Sequence, residues 1–300
     1  KEIGCPLMVK ASAGGGGRGI RLVEHPEDLE AAITAAKQEA LNFFGNDEVY
    51  MEKFIVNPKH IEVQILADSY GNTVYLGERD CSMQRRNQKV LEETPSPIMT
   101  PELRAKMGKA AVAAAKACGY TNAGTIEFLV DADRNFYFME MNTRIQVEHP
   151  ITEAVTGIDL VKQQILIANG EKLPFAQEDI TIRGHAIECR INAENPELNF
   201  RPSPGQITAL HIPGGPGIRV DSSAYQGYTI PPYYDSMIAK LIVHAPTREE
   251  AIAKMKWALA EFIVDGVDTN IDFQLSLIRD SLFEKGTYDI GYLGRKLSGK

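Results

Sequence analysis

The 300-residue sequence lacks any long apolar run, since no stretch approaches the ~20 residues that cross a bilayer. It also lacks a basic-then-apolar segment of the secretory type at its start. Lysine and arginine number 32 against 40 aspartates and glutamates, which gives a net charge of −8. An acidic chain is not built to hold nucleic acid or an anionic membrane surface. We therefore predict that it binds neither, and that local geometry holds any anion it takes.

Cysteine is scarce, and Cys5, Cys81, Cys118 and Cys189 are far apart in the sequence with no C-x-x-C pair. Such spacing favours reduced thiols in a cytosolic protein, so we predict a cytoplasmic location. Cys81 and Cys189 have no Cys or His near them at zinc spacing, and we interpret both as structural.

The composition is that of an ordinary globular protein, with 44% hydrophobic and 24% charged residues, which excludes disorder and a collagen-like structure. A length of 300 residues suggests about two domains. Lys1 has no Met before it, and the first predicted strand has no earlier element to pair with. We therefore expect the chain to be a fragment of a longer protein.

Period-two patterns predict strands, several of them paired as hairpins. The predicted strands cover residues 6–10, 20–23, 49–54, 61–66, 73–78, 125–130, 136–141, 184–192 and 206–212. The predicted helices cover residues 27–44, 101–118, 159–169, 247–262 and 269–283, and Thr100 and Thr247 occupy N-cap positions. Helices grouped beside hairpin strands indicate an α+β fold rather than regular βαβ winding.

A glycine-rich loop follows the strand that ends at Lys10, and its glycines are Gly14, Gly15, Gly16, Gly17 and Gly19. Consecutive glycines let backbone N–H groups fold closely over phosphate oxygens. The spacing also matches a dinucleotide fingerprint, but that motif must open a helix and residues 20–23 have a strand pattern. No G-K-[ST] ends the loop, so it is not a P-loop. A flexible hairpin turn is the alternative; because two residues suffice for a hairpin, we favour a phosphate-binding flap.

Two neighbouring predicted strands carry an acid inside an apolar pattern, Glu127 in the first and Glu140 in the second. A four-residue connection at 132–135 would place Glu127 opposite Glu140, with Asn142 on the same face. Like charges so placed need a cation or a proton. Carboxylate and amide oxygens suit Mg²⁺ or Mn²⁺ carrying nucleotide phosphates. A solvated face or a one-residue register slip remains the alternative.

Residues 142–150, directly after that strand, are predicted to form a loop in which polar and small apolar side chains alternate. Arg144 could clamp an oxyanion in two-pronged geometry, and Glu148 could act as a general base. Residues 78–89 and Arg190 supply further anion binders, although a charged surface loop is the alternative for residues 78–89. Three histidines, taken singly, are more often structural than ligating: His60, His149 and His185.

Together these segments resemble biotin carboxylase, the ATP-grasp component of acetyl-CoA carboxylase and related biotin-dependent carboxylases. The sequences that carry the resemblance are V-K-A-S-A-G-G-G-G-R-G (9–19), Y-M-E-K-F (50–54), E-R-D-C-S-M-Q-R-R-N-Q-K (78–89), G-T-I-E-F (124–128), M-E-M-N-T-R-I-Q-V-E-H-P (139–150), G-H-A-I-E-C-R-I-N-A-E (184–194) and P-P-Y-Y-D-S-M (231–237). They span almost the whole chain in family order, and the set is far more specific than any one of them.

The resemblance implies an ATP-grasp fold, with a partial flap lobe at residues 1–55 and a core with the metal and bicarbonate site at residues 56–175. It implies the biotin carboxylase C-terminal region, packed on the core, at residues 176–300. It also implies that the family's N-terminal domain, with a second nucleotide-binding lysine and much of the dimer contact, is missing. We therefore expect the full-length protein to be a homodimer.

The resemblance assigns roles to single residues. The residues that hold ATP are Lys10 and the flap glycines for the phosphates, Glu52, Lys53 and Ile55 for adenine, His60 and Gln84 for the ribose side, and Glu127 and Glu140 through the metal. The residues that hold two Mg²⁺ or Mn²⁺ ions are Glu127, Glu140 and Asn142. The residues that bind bicarbonate are Lys89, Arg144, Gln146 and Val147, of which Lys89 and Arg144 also count as catalytic. Glu148 is the catalytic base, and Arg190 stabilises the enolate of biotin.

The implied reaction is the ATP- and bicarbonate-dependent carboxylation of biotin through carboxyphosphate, the first half-reaction of acetyl-CoA carboxylase in fatty acid synthesis. No A-M-K-M biotin-attachment motif is present, and residues 253–256 (A-K-M-K) fit a solvated helix face. Biotin is therefore expected on a biotin carboxyl carrier protein, with a carboxyltransferase component as a further partner. Asn87 stands where many relatives have His, which leaves that nucleotide contact open. The alternatives are another ATP-grasp acyl-phosphate-forming ligase, such as a carbamoyl-phosphate synthetase half, and an inactive nucleotide-binding fragment.

Overall fold

The computed structural model describes residues 3–13 and 19–299. The chain divides into two compact units, Lys1–Val56 and Asn57–Lys300. The division into three regions after residues 55 and 175 stays a prediction; the large sheet of the second unit takes strands from both sides of residue 175. None of the helices in the described part of the chain has the length and apolarity needed to cross a membrane.

The first unit is a small antiparallel sheet packed against a helix. Its elements are β1 (Leu7–Ala11), β2 (Ile20–Val23), α1 (Leu29–Phe44) and β3 (Val49–Lys53), with strand order β2-β1-β3. Lys10 pairs with Ile20, and the Ala11 N–H donates to the Gly19 carbonyl (2.9 Å), so the glycine loop connects a hairpin, as predicted. Gly14, Gly15, Gly16 and Gly17 lie outside the described residues. The helix begins later than predicted because a 3₁₀ turn, Pro26–Asp28, precedes it.

The second unit is built on a large sheet flanked by helices. Its strands are β4 (Lys59–Ala67), β5 (Thr73–Arg85), β6 (Gln88–Thr94), β7 (Asn122–Val130), β8 (Phe136–Asn142), β9 (His185–Asn192), β10 (Glu194–Asn195), β11 (Arg201–Pro202), β12 (Gly205–Gln206), β13 (Ala209–His211), β14 (Ile218–Ser222), β15 (Thr229–Ile230), β16 (Met237–Ala245) and β17 (Ile263–Asp265). Its helices are α2 (Pro101–Ala117), α3 (His149–Thr156), α4 (Leu160–Ala168), α5 (Arg248–Glu261), α6 (Ile271–Ile278), α7 (Ser281–Glu284) and α8 (Tyr292–Leu297).

Within residues 57–299, eight strands form the sheet in the order β14-β16-β9-β6-β5-β4-β7-β8, and every neighbouring pair is antiparallel. The mainly antiparallel α+β fold is thereby confirmed. The shorter strands pair separately as β10-β11, β12-β15 and β13-β17.

The two faces of the sheet carry different helices. On one, the α2/α5 face, α2 packs on Ile61 and Val63 while α5 and α6 pack on Ile187 and Cys189. On the other, the α3/α4 face, α3 packs on Ala186 and Ile242, and α4 lies against Leu66 and Ala123. Because side chains alternate along a strand, Glu62, Glu92, Glu188 and Arg190 point to the α3/α4 face. Each face therefore has its own buried layer.

Helix capping follows the sequence signals. The Thr100 hydroxyl accepts from the Leu103 N–H (3.2 Å), and the Thr247 hydroxyl accepts from the Glu250 N–H (3.2 Å). Side-chain acceptors at this position satisfy N–H groups that the helix leaves open. The predicted helix starts at residues 101 and 247 are thus confirmed to within one residue.

Several predicted elements differ from the structure, and three of them differ in more than where they begin or end. The predicted helix at 269–283 is two helices, α6 and α7, because the Asp280 carboxylate accepts from the Leu282 N–H (2.9 Å) and starts a new helix. The predicted strand at 206–212 is split between β12 and β13, which pair with different strands. The polar segment 142–150, expected to be a loop, ends by starting α3, with Pro150 in the first turn, where proline is well tolerated.

The strands that carry the two predicted metal-binding acids pair as expected at those acids, although the turn that connects them differs from the prediction. Glu127 lies opposite Glu140, and Thr125 lies opposite Asn142. Nearer the turn, Val130 pairs with Phe136, one residue away from the register that a four-residue connection would give. A bulge at Met139 absorbs the extra residue, so the facing pair is confirmed and the predicted connection is wrong.

Candidate active site

Lys89 lies in β6 on the α3/α4 face, where it contacts three carboxylates. Its Nζ donates to Glu62 Oε2 (2.6 Å), Glu148 Oε1 (2.6 Å) and Glu127 Oε1 (3.0 Å). Burial alone would lower the pKa of Lys89, but these carboxylates, Glu62 foremost, hold that pKa well above its usual value. Lys89 is therefore a fixed positive charge that joins β4, β7 and the start of α3.

Arg79 is fully buried beside this cluster and ties its framework together. Its guanidinium donates five hydrogen bonds, to Glu62 Oε1 (2.5 Å), Gln64 Oε1 (2.7 Å), Thr152 Oγ1 (3.0 Å), Gln146 Oε1 (3.1 Å) and Thr125 Oγ1 (3.3 Å). Burial alone would raise the pKa of Glu62, but the charges of Arg79 and Lys89 hold it at about 2. Arg79 thus holds β4, β7, α3 and the polar segment in one arrangement.

Glu148 stands at the N-cap position of α3 and is 1% exposed. Lys89 donates to its Oε1 (2.6 Å), and Arg190 Nη2 donates to its Oε2 (3.0 Å). The Cys81 thiol lies 3.9 Å from Oε1. A carboxylate held between two cations is oriented for proton transfer to or from a bound substrate.

Glu127 accepts hydrogen bonds from three of the predicted site residues and lies close to a fourth. Its Oε1 accepts from Lys89 (3.0 Å), Asn142 Nδ2 (3.0 Å) and Gln146 Nε2 (2.7 Å). Its Oε2 lies 2.9 Å from His60 Nε2. Burial alone would raise the pKa of Glu127, but His60 and Lys89 hold that pKa well below its usual range. Glu127 is therefore an ionised carboxylate at neutral pH.

His60 and Gln84, the two residues predicted for the ribose side of the nucleotide, lie together. Gln84 Nε2 is 2.5 Å from His60 Nδ1 and donates to the Cys81 carbonyl (2.8 Å). Through its other ring nitrogen His60 reaches Glu127. His60 therefore connects Gln84, predicted to bind the nucleotide, with Glu127, predicted to bind the metal.

The predicted metal ligands fit a hard divalent cation by the chemistry of their donors. Glu127 supplies an ionised carboxylate, and Asn142, in contact with it, supplies an amide oxygen that accepts from Arg144 Nη2 (3.2 Å). Two groups of three ligand-type side chains gather within 4.8 Å among the described residues: His60, Glu62 and Glu127, and Glu62, Cys81 and Glu148. The exposed Glu140 belongs to neither group, so its part in binding a metal stays a prediction.

The predicted bicarbonate residues occupy two environments. Gln146 is buried, bridging Arg79 and Glu127, and lies close to Lys89 through their shared contact with Glu127 Oε1. Arg144 is exposed, and its Nη1 donates to the Ile145 carbonyl (3.3 Å). The Val147 carbonyl accepts from Lys240 Nζ (3.0 Å).

Arg190, in β9, links Glu148 to a further buried acid. Its Nε donates to Glu92 Oε1 (2.7 Å), while Nη2 donates to Glu148. Burial alone would lower the pKa of Arg190, but Glu92 and Glu148 hold it well above its usual value. Arg190 therefore presents a permanent positive charge beside Glu148.

Besides the flap glycines, four predicted nucleotide-binding residues lie in the first unit: Lys10, Glu52, Lys53 and Ile55. Lys10 pairs with Tyr50 across β1 and β3, and its Nζ lies 2.5 Å from Glu52 Oε2. Lys53 ends β3, and Ile55 is buried. The nucleotide-binding roles of these residues stay predictions.

The sequence-based reasoning missed several residues of the cluster: Glu62, Gln64, Glu92, Glu188 and Lys240. Arg79 was included only as part of the segment 78–89, without its buried position. The sequence does show one pattern here, because Glu62 and Gln64 alternate with Ile61 and Val63. The structure buries this strand on both faces, so the pattern by itself is misleading. Alternation of this kind is usually interpreted as a strand with one solvated face. Only the partners on the next strands show that this polar face is internal.

Comparison with known proteins tests the resemblance. Residues 1–176 match the family described as carbamoyl-phosphate synthase L chain, ATP binding domain, and residues 188–295 match the biotin carboxylase C-terminal domain. Biotin carboxylase 1 of Bacillus subtilis is 58% identical over 293 residues, which cover 97% of this chain and 65% of that protein. The chain belongs to the biotin carboxylase family.

Other relatives extend the family beyond one kind of carboxylase. A pyruvate carboxylase subunit from Methanothermobacter thermautotrophicus is 57% identical over 285 residues, which cover 95% of this chain and 58% of that protein. A crystal structure of the biotin carboxylase domain dimer of Hydrogenobacter thermophilus 2-oxoglutarate carboxylase is 52% identical, with a TM-score of 0.89 over 99% of this chain and 65% of that one. That structure is a complex with MgADP, ADP and bicarbonate.

The biotin carboxylase family membership confirms the ATP-grasp fold expected from the sequence motifs. The chain spans about two thirds or less of the length of these relatives, 65% in Bacillus subtilis and 58% in Methanothermobacter thermautotrophicus. Activity, substrates and partners of the whole protein are therefore matters for proposal.

Proposed function

We propose that the protein containing this chain carboxylates biotin, using ATP and bicarbonate. One observation carries the proposal: Lys89 and Arg190 hold the two oxygens of the buried Glu148. Such an arrangement sets a base between a cation suited to a small oxyanion and a cation suited to a second substrate that becomes anionic during the reaction. Membership in the biotin carboxylase family supports assigning bicarbonate to the first and biotin to the second.

We place ATP and a divalent ion on the Glu127 side of the cluster. Glu127 and Asn142 would hold Mg²⁺ or Mn²⁺. Glu140, which pairs with Glu127 on the neighbouring strand, would be the third ligand. When bound, two such ions would neutralise charge on the triphosphate. Support comes from the relative in Hydrogenobacter thermophilus, whose structure contains MgADP and bicarbonate.

In the first stage of the proposed reaction, Lys89, Arg144, Gln146 and the backbone of Val147 bind bicarbonate. Glu148 takes its proton, and a bicarbonate oxygen then attacks the γ-phosphorus of ATP. The bond from that phosphorus to the β-phosphate oxygen breaks, which leaves carboxyphosphate and ADP. Lys89 already lies 2.6 Å from Glu148, so oxyanion site and base are adjacent.

In the second stage, carboxyphosphate breaks its C–O bond to give CO₂ and phosphate. Phosphate takes the ureido proton of biotin, and the resulting nitrogen nucleophile attacks CO₂ to form carboxybiotin. Arg190 stabilises the enolate charge on the biotin oxygen, for which its guanidinium is suited because it remains charged throughout. Exclusion of water protects the labile intermediate, a task that we assign to the glycine flap.

For the whole protein we propose the first half-reaction of acetyl-CoA carboxylase in fatty acid synthesis, in the cytoplasm. Biotin would arrive on a carrier protein, and a carboxyltransferase component would receive the carboxyl group. The similarity to a biotin carboxylase domain dimer favours a homodimer. Relatives named for pyruvate and 2-oxoglutarate belong to carboxylases with other final acceptors of the carboxyl group. The choice of acetyl-CoA as that acceptor is therefore the most specific part of this proposal.

The test is the substrate dependence of ADP release by the full-length protein. We expect release to require bicarbonate and to increase when free biotin is added. Release that is indifferent to bicarbonate would contradict the proposal. Release that depends on bicarbonate but responds to ammonia rather than biotin would instead support a carbamoyl-phosphate synthetase type of reaction.

A further inference from the structure

Two buried carboxylates face each other next to Arg190. Glu92 in β6 pairs with Glu188 in β9, and both side chains are 0% exposed. Residues directly opposite in an antiparallel pair share a face, with their Cβ atoms about 5 Å apart. Like charges at this separation in the interior are strongly unfavourable. This pair therefore has to be explained by a proton or by a cation.

No cation of the described residues bonds to Glu188. Both of its carboxylate oxygens, and Oε2 of Glu92, lack a hydrogen-bond partner in the described part of the chain. Arg190 uses its Nε on Glu92 Oε1 and its Nη2 on Glu148. A buried ionised carboxylate without partners is costly, whereas a protonated one is not.

The charged groups that face Glu188 come from each neighbouring element of the α3/α4 face. Its own strand contributes Arg190, β6 contributes Glu92, the start of α3 contributes Glu148, and β16 contributes Lys240. The Lys240 ammonium is directed elsewhere, 3.0 Å from the Val147 carbonyl and 3.5 Å from Asp221. The helices α5 and α6 pack on the opposite face of β9. Two acids and two cations therefore surround Glu188, and neither cation donates a hydrogen bond to it.

The acid–base equilibria agree with this geometry. Burial raises the pKa of Glu92 to about 7, with Arg190 opposing the rise and Glu148 adding to it. Burial and the facing Glu92 raise the pKa of Glu188 well above its usual value. Two such groups titrate as a pair, so the first proton to leave belongs to both.

We propose that Glu92 and Glu188 share one proton near neutral pH, and that this keeps the charge of Arg190 available to its substrate. If both were ionised, Arg190 would be surrounded by three carboxylates, since Glu148 already contacts it. Its field toward the enolate that forms on the substrate would then be cancelled. Glu92 and Glu188 are positioning residues that act through Arg190, and this inference rests on the proposed function of Arg190.

The experiment compares Glu188→Gln with the unsubstituted full-length protein over pH 6 to 9.5. Glutamine is nearly isosteric and permanently neutral, so we expect kcat for biotin carboxylation at pH 7 to stay within about threefold. We expect the alkaline decline of kcat to move up by about one pH unit or more, because no second proton can then be lost near Arg190. An alkaline decline at the same pH in both proteins would overturn the proposal.

A matched control makes the same chemical change far from this pair. Glu178 is exposed, so Glu178→Gln should leave the pH profile unchanged. Bicarbonate-dependent ADP release without biotin is the second control, since the proposed Arg190 role belongs to the biotin step. If the unsubstituted protein shows no bicarbonate-dependent release, the proposed function fails; if it does and the alkaline decline does not move, only this inference fails.

Stability gives a readout that needs no activity. When the pKa of a carboxyl group is higher in the folded than in the unfolded protein, the protein loses stability as pH rises from the unfolded-state pKa toward the folded-state pKa. Glu188→Gln removes that loss, so its melting temperature should exceed that of the unsubstituted protein by an amount that grows from pH 5 to pH 8. A constant difference over this range would show that no shared proton is present, and would overturn the proposal even if the variant were inactive.

Discussion

Glu92 and Glu93 are neighbours in β6, yet they point to opposite faces of the sheet and end in opposite electrostatic states. Glu93 accepts from Arg248 Nε (2.6 Å) and Nη2 (3.0 Å) and from the Tyr288 hydroxyl (2.6 Å), and it lies 2.7 Å from His185 Nε2. Burial alone would raise the pKa of Glu93, but His185 and Arg248 hold it at about 2. Glu92 has an oxygen without a partner in the described chain, and its pKa rises to about 7.

The difference separates two uses of a buried charge. On the α2/α5 face, Glu93 joins β6 to α5 and to the segment around Tyr288, with every oxygen bonded. On the α3/α4 face, the carboxylates surround cations that a substrate can also use. A satisfied buried group contributes stability, whereas an unsatisfied one costs stability and is retained where it serves another purpose. We therefore expect substitutions on the two faces to affect different measurements.

The largest effect is expected for Glu148→Gln. Glutamine keeps the shape of the side chain but cannot take a proton, so kcat for bicarbonate-dependent ADP release should fall by about 10²- to 10⁴-fold. The measurement is steady-state ADP release by the full-length protein. Glu178→Gln, a change of the same kind on the surface, is the control and should keep full activity. Retention of most of the activity in Glu148→Gln would remove Glu148 from the role of base.

The matching change on the other face is Glu93→Gln, and its main effect should be on stability. Removing one partner of a buried ion pair leaves Arg248 without its counter-charge, which costs about 3–5 kcal/mol. The free energy of unfolding in urea, followed by circular dichroism, measures this. Activity per folded molecule should stay near that of the unsubstituted protein. A large loss of kcat without a loss of stability would show that the two faces are not divided as argued.

The sequence predicts the elements of the fold better than it predicts the buried network. The helices capped by Thr100 and Thr247 were predicted because the capping signal is local. The pairing of Glu127 with Glu140 was also found, although a bulge at Met139 had to compensate for a different turn. Such a bulge depends on the packing of the whole sheet, and no local pattern indicates it.

The candidate site shows the same limit. Glu127, Glu148 and Arg190 were identified individually, Lys89 within the segment 78–89, and all four through the resemblance. The structure brings them into contact. Arg79 was included only within the segment 78–89, and its burial was missed, because its five partners come from several elements that are distant in sequence. A charged residue in an alternating strand indicates solvent unless its partners are known.

The loss of stability at low pH should depend on Glu93, on the α2/α5 face. We expect this effect to be smaller than those of Glu148→Gln and Glu93→Gln above. The pKa of Glu93 is lowered to about 2 from an ordinary value of 4.5, so its stabilisation is complete above pH 4.5 and is lost as pH falls toward 2. The melting temperature of the unsubstituted protein should therefore drop between pH 5 and pH 3. Glu93→Gln should show a smaller drop over the same range. Parallel curves would mean that the carboxylate of Glu93 is not stabilised as argued.

The smallest effect on stability is expected for Glu140→Gln, and it sharpens the comparison within the proposed metal site. Glu140 is exposed, so the free energy of unfolding should change by less than about 0.5 kcal/mol. Its partner across the strands, Glu127, is buried and holds three hydrogen-bond donors on one oxygen.

If Glu140 binds a metal ion, the Mg²⁺ concentration that gives half-maximal ADP release should rise several-fold in Glu140→Gln, while kcat at saturating Mg²⁺ falls less. The control is the exposed Asp133, which lies on the same hairpin at the turn, beyond the site. Asp133→Asn removes one carboxylate in the same way and should leave the Mg²⁺ requirement unchanged. An unchanged requirement in Glu140→Gln as well would assign the metal to Glu127 and its buried neighbours alone, because an exposed carboxylate that contributes neither stability nor metal affinity has no part in the site.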